Sequence, residues 1–217
     1  DDPALTLYLV LDEAHRGMRA ATGAGEKTTI VKRLINGSGP VPGIPVVWVH
    51  VALRPGYPEL PETSPFMRIA SHGDLDETSE STQILDVLGR REDEPLVTKR
   101  RVGAFSGSDL AAVLSGLGAT NLVLAGVATR GVVLATWRQA ADLDFGVTVL
   151  SDACADPDEE VHRVLTEKVF SWQSDVLTVA EAVGSDVTNI IRSCVADGRF
   201  GAALDVLTSY LANDHCV

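Results

Sequence analysis

A chain of 217 residues with 18 Lys and Arg against 30 Asp and Glu carries a formal net charge of −12, which on average repels nucleic acid and anionic membrane surfaces and argues against both as partners. Its 45% of hydrophobic residues can build one domain with a sizeable core without metals or disulfides, and no apolar run reaches the roughly 18 residues of a membrane span. Cys154, Cys194 and Cys216 form neither a CxxC pair nor zinc-like spacing, a sparse odd set that fits a reducing compartment and makes the cytoplasm the expected location.

In chain order, the first apolar run, LTLYLVL (5 to 11), is preceded by acids rather than bases, so it is expected to be a strand and not a signal peptide. It ends at Asp12. ATGAGEKTT (21 to 29) invites a phosphate-loop reading, but Glu26 stands where the second glycine is needed, so a plain loop into a helix over 28 to 35 is expected. IPVVWVHV (44 to 51) is a second strand, with His50 near its end. Residues 54 to 82, rich in Pro, Ser, Glu and Gly, should form a long loop near the strand mouths, followed by helical spacing over 83 to 89. PLVTK (95 to 99) is a short strand closing on Lys99. A helix over 109 to 118 can be capped by Ser108 or Asp109 and stopped by Gly118.

NLVLAGV (121 to 127) and FGVTVLSD (145 to 152) are strands, with helical stretches over 132 to 144 and 158 to 170; Asp156, Pro157 and Asp158 open the latter. Short, nearly continuous apolar strands alternating with amphipathic helices predict a three-layer α/β/α fold around a mostly parallel sheet, with ligands at the carboxyl ends of the strands. Residues 1 to 183 form that domain, and 184 to 217 add a helical extension that packs on it or on a second subunit.

The histidines, at 15, 50, 72, 162 and 215, show no HxH or HxxxH pair, so no metal site is expected. His50 is placed to face a pocket, although a satisfied structural histidine is the more frequent outcome. Asp12 and Lys99 each end an apolar strand, where a charge is costly unless paired or used, and the ends of two parallel strands can meet in one crevice.

VTKRRVGAFSGSDLAAVL and LGATNLVLAGVATRGVVLATWRQAADLDFGVTVLSDACAD, with GIPVVWVHVALRPGYPE and VFSWQSDVLTVAEAV, resemble the isochorismatase-like hydrolase superfamily, the cysteine hydrolases, over residues 5 to 183. The resemblance implies a parallel α/β sheet, a homo-oligomer (dimer or tetramer), no cofactor, a small-molecule substrate, and an Asp, Lys and Cys triad at the strand mouths. Asp12 matches the acid and Lys99 the lysine, but the nucleophile position falls on Val132, which supplies neither thiolate nor proton. Cys154, in the late DAC motif, is a poor substitute. Arg130 stands where the pattern commonly has an acid, and is positioned to bind a substrate carboxylate. His50, Arg54, Phe105, Ala128 and Thr129 complete the expected substrate-binding set.

Members that cleave a vinyl ether lack the cysteine and keep the Asp and Lys. The resemblance therefore implies acid-base chemistry by Asp12 and Lys99 on a small, carboxylate-bearing metabolite: vinyl-ether hydrolysis, or dehydration, cyclisation or isomerisation in specialised metabolism. The alternatives are a catalytically inactive binding or assembly partner, and an amidase-type hydrolase carrying a Cys-to-Val change at Val132.

Overall fold

The computed structural model describes residues 5–12, 45–70, 74–84, 90–182 and 184. Its six strands are β1 (Leu5–Asp12), β2 (Val46–Val51), β3 (Leu96–Lys99), β4 (Ala119–Val127), β5 (Gly146–Ala155) and β6 (Asp175–Leu177). They form one sheet in the order β3-β2-β1-β4-β5-β6, with every pairing parallel. The order reverses between β1 and β4, and a crevice opens at such a switch point beyond the carboxyl ends of the strands.

The described helices are α1 (Pro65–Ala70), α2 (Leu110–Leu117), α3 (Leu134–Asp142) and α4 (Glu159–Val164), the last running on through a π turn to Val169 and a short 3-10 turn to Trp172. Val47, Val49, Val97, Leu122, Leu124 and Val149 lie on one sheet face and pack with Leu110 and Leu114 of α2, Trp137 and Ala140 of α3, and Phe170. Trp137 meets Phe170 edge-on at 5.1 Å between ring centroids, a pairing that adds about 0.5–1.5 kcal/mol to the area it buries. The pleat sends Trp48 to the opposite face, where its indole N–H donates to Glu94 at 2.8 Å.

Helix ends follow the sequence closely. Gly118 closes α2 in the left-handed conformation, φ 69°, which a residue with a Cβ reaches only with strain. Asp109 sits at the α2 N-cap without a side-chain bond, while the Ser108 hydroxyl accepts from the Leu110 amide. At α4 the cap is Asp158, whose carboxylate accepts from the Glu160 and Val161 amides, while Asp156 accepts from the N–H of Asp158 itself.

The segment from 54 to 82 is no featureless loop. It contains α1 and a 3-10 turn at Glu80–Thr82, and Leu53, Leu60, Phe66, Ala70 and Leu75 gather under it with Val51 in a second small core. The helix expected over 28 to 35, most of that over 83 to 89, and all of the extension from 184 to 217 but its first residue lie outside the described residues.

Candidate active site

The strand register fixes where the chemistry-bearing residues stand. Asp12 pairs with His50 on one side and Val127 on the other, and Lys99 pairs with Val51. β1 and β3 both neighbour β2, so at about 4.8 Å per strand step Asp12 and Lys99 stand about 10 Å apart between Cα atoms. By register Asp12, level with His50, and Lys99, level with Val51, fall on alternate pleats at the strand ends.

Lys99 is fully buried, on the same sheet face as Val97 and the main core, and its ammonium donates to the Arg101 carbonyl at 3.0 Å. A charge in that position costs several kcal/mol of desolvation, roughly, before any partner offsets it.

β4 ends at the switch point in a tight turn. The Val127–Ala128 peptide bond is cis, and Thr129–Val133 follow as a single π turn with Gly131 off helical angles, leading into α3. The Ala128 carbonyl accepts from the Gly131 amide at 3.1 Å and the Val133 amide at 3.4 Å. Ala128, Thr129, Val132 and Val133 are all buried, and Val132 and Val133 belong to the main core. The turn therefore presents an apolar wall at the position expected to hold a nucleophile.

Two side-chain ties hold this turn. Thr129 Oγ1 and His162 Nδ1 share a hydrogen bond of 2.9 Å to α4. Arg130 is gripped by Asp156, which accepts from its backbone N–H at 2.9 Å and from Nε at 2.7 Å, with Nη2 at 2.5 Å. Burial pulls the Asp156 carboxyl upward, but bonds from the Arg130 side chain and from the amides of Arg130 and Asp158 outweigh it and hold the group below the usual carboxylate range.

Arg130 is thus already occupied, and the substrate-carboxylate role expected of it meets a standing partner. Asp156, read from sequence only as a helix opener, is the residue that sequence reasoning missed. Its signal was indirect: a cation at 130, where the pattern has an acid, calls for a compensating acid nearby.

Other expected binders stand elsewhere. His50 is buried, with Nδ1 donating to the Thr82 carbonyl at 2.7 Å and Nε2 bonded to Thr98 Oγ1 at 2.8 Å; both ring nitrogens serve the protein, as in a structural histidine. Arg54 pairs with Glu59 at 2.9 Å and lines an open groove of about 500 Å³ along edge strand β3, with Leu96, Thr98, Arg100 and Ser108. That groove lies two strands away from the switch point. Phe105 packs on Phe145, 6.2 Å between centroids, beside the amino-terminal start of β5 and so away from the strand mouths. The reason is the 103 to 106 segment, which the Ala104 amide binds to Thr136 of α3 at 3.0 Å. Of the expected set, the fold gathers Asp12, Lys99, Ala128, Thr129, Arg130 and Val132 at the sheet's carboxyl ends; it takes Arg54 and Phe105 away and commits His50 to internal bonds.

Cys154 is no stand-in nucleophile. It is buried within the core, and burial pushes its thiol up to about 12, so almost no thiolate forms near neutrality. Among the described residues no three His, Cys, Asp or Glu side chains are grouped to hold a metal ion, and no helix is long and apolar enough to cross a membrane.

Comparison with known proteins bears on the family and the fold. The isochorismatase family protein YwoC of Bacillus subtilis is 27% identical over 163 residues, 75% of this chain and 84% of that protein. The phenazine biosynthesis protein PhzD of Pseudomonas fluorescens is 33% identical over 101 residues, 46% of this chain and 49% of its own length. A solved isochorismatase family protein from Burkholderia thailandensis superposes with a TM-score of 0.69 at 28% identity, covering 83% of this chain and 97% of that one. The isochorismatase domain model matches residues 26–181, and on that match, with the parallel sheet and its switch-point turn, the chain belongs to the isochorismatase family.

Proposed function

We propose that this chain is an acid-base enzyme of the isochorismatase family that hydrolyses a vinyl ether on a small carboxylate-bearing metabolite, without a covalent intermediate. The observation that carries the reading is the pairing of a fully buried Lys99 at the end of β3 with an apolar, buried Val132 in the switch-point turn. A lysine enclosed at such cost is kept for something other than stability, while a valine closes the thioester route.

The step needs a proton and water. Asp12, protonated, delivers its proton to the terminal methylene carbon of the enol ether, and the electron pair of the double bond forms the new C–H bond. The resulting oxocarbenium ion takes water at the adjacent carbon, a proton from that water returns to the Asp12 carboxylate, and the hemiketal collapses to a keto acid and an alcohol. Lys99 holds the substrate carboxylate beside the developing positive charge and fixes the reacting carbon near Asp12. Val132 adds a buried apolar side chain, and no nucleophile, at the turn. A relative named for phenazine biosynthesis fits a small-metabolite substrate.

The test is pyruvate release from isochorismate and from simpler enolpyruvyl ethers, with the parent chain beside Asp12→Asn and Lys99→Met. Pyruvate from the parent, with a loss on the order of 10²–10⁴-fold in Asp12→Asn, the scale of one general acid, is the expected result. Undiminished release in Asp12→Asn rejects the role of Asp12; no release from any of these ethers rejects vinyl-ether hydrolysis.

A further inference from the structure

The tie between Asp156 and Arg130 takes no part in the proton transfer, yet it joins the two elements that frame the crevice. β5 reaches the site by an irregular path. Its pairing with β4 jumps from Leu124 opposite Val149 to Gly126 opposite Cys154, so several extra β5 residues bulge out before Ala155 returns beside Val127. Asp156 is therefore delivered to the mouth of the sheet, next to the turn that follows Val127.

There its wholly buried carboxylate grips one residue at two places, the main chain and the guanidinium of Arg130, and also accepts from the Asp158 amide at 3.2 Å. Arg130 lies two residues before Val132. Among the described residues, the charged and titratable groups beside the tie include Asp158, 3.8 Å from Arg130 Nη2, and His162, bonded to the neighbouring Thr129.

We propose that Asp156 is a positioning residue: through Arg130 it fixes the 128 to 133 turn, and so sets where the Val132 wall stands relative to Lys99, making Arg130 a strap of the site instead of a ligand for the substrate. This rests on placing the active site at that turn. The competing role for Arg130 requires its guanidinium, whose side chain is 47% exposed, to leave a carboxylate that is fully enclosed. A buried carboxylate stripped of its cation is costly, and that cost opposes the exchange.

The experiment is residue-by-residue amide hydrogen exchange on the full chain, as protection factors corrected for intrinsic rates, between about pH 7 and about pH 3, which brackets ordinary aspartate titration. The parent chain is compared with Asp156→Asn, Arg130→Met and Asp158→Ala. Expected are strong protection of the Arg130 amide near neutrality, falling as Asp156 takes up its proton in acid, and a drop of about tenfold or more at Arg130 near neutrality in Asp156→Asn, whose neutral amide oxygen replaces a charged acceptor. Arg130→Met keeps the amide bond near neutrality but loses it at a higher pH than the parent, because the cation no longer holds the carboxyl down. Asp158→Ala, which removes the α4 cap and the longer pairing with Arg130 Nη2 but keeps the Asp156 carboxylate, leaves the Arg130 amide within about twofold of the parent, against the tenfold scale of the charged bond.

Protection at Arg130 within about twofold of the parent in Asp156→Asn, against the tenfold scale of such a bond, overturns the proposal, as does a loss spread evenly over the sheet. If Asp156→Asn fails to fold, Arg130→Met decides: an Arg130 amide whose protection follows the same pH course in that variant as in the parent overturns it. A failed pyruvate assay leaves these factors as they are, and unchanged factors reject the strap whatever that assay gives.

Discussion

Cys154 is enclosed beneath the switch point, with its thiol directed to the Leu124 carbonyl at 3.8 Å and pushed up to about 12 by burial. An unfolded thiol ionises near 9.0. Because the folded group resists ionisation, its contribution to stability is fully present below that value and is lost as pH rises toward 12. At about pH 8, near the ordinary thiol pKa, native Cys154 should stay unmodified by iodoacetamide while the denatured chain is alkylated there at once. Peptide mapping by mass spectrometry checks this, and rapid native labelling at Cys154 would contradict an inert thiol. Asp156 has the opposite sign: its depressed carboxyl stabilises the native turn above the ordinary aspartate range, and that contribution disappears as pH falls through the folded value. The two residues lie two positions apart in sequence, and their difference comes from their partners. One faces core carbonyl and aliphatic surface, the other a guanidinium and two amides.

Among the elements, the 52 to 77 segment best shows how a loop becomes a fixed wall. Leu53 and Leu75 exchange main-chain contacts, with the Leu53 amide donating to the Leu75 carbonyl and the Glu77 amide to the Leu53 carbonyl, each at 2.7 Å. Arg100 donates to the Ala52 carbonyl and to Glu77 at 3.1 Å, and Arg101 donates to the Glu59 carbonyl at 2.7 Å. Both cations that directly follow β3 are spent on holding this segment. Arg100→Ala should therefore loosen it locally, by about 1–3 kcal/mol for the lost bonds to a charged donor. Limited proteolysis should show faster cleavage within 54 to 77 and unchanged cleavage in β4 and β5; a uniform increase would mean that Arg100 supports the whole fold.

Much of this architecture was legible in the chain. β2, β4 and β5 are continuous apolar runs because both faces are covered, and their ends were read to within a few residues. β6, three residues at the edge with no apolar run, gave no such signal, and neither did α1 inside a Pro-rich segment. The site was legible only as far as strand ends reach. Asp12 and Lys99 could be placed by the run each terminates, whereas His50 depended on which way a pleat turns, and the Arg130 and Asp156 tie, 26 residues apart, depended on a bulge in β5 that no local pattern announces.

For the whole molecule, the reversal of strand order between β1 and β4 sets a stability problem against a functional one. The switch point needs polar groups at the mouth of a sheet whose interior is valine, leucine and tryptophan. Lys99 is among the largest fully buried side chains, in the company of Trp48, Trp137 and Phe170. If Lys99 serves the reaction, the fold is carrying a buried charge at a cost in desolvation. Lys99→Met, with similar length and no charge, removes the desolvation cost together with the bond to the Arg101 carbonyl, so it should shift the melting temperature by no more than about 2–4 °C, the scale of 1 kcal/mol in a chain of this size. Lys99→Ala, which also leaves a cavity, should lower it. Activity should vanish in both. Thermal unfolding of the two variants, read beside pyruvate release, separates the roles: a Lys99→Met chain that is destabilised and still active would mean that the lysine holds the strand ends together and that the proton chemistry runs without it.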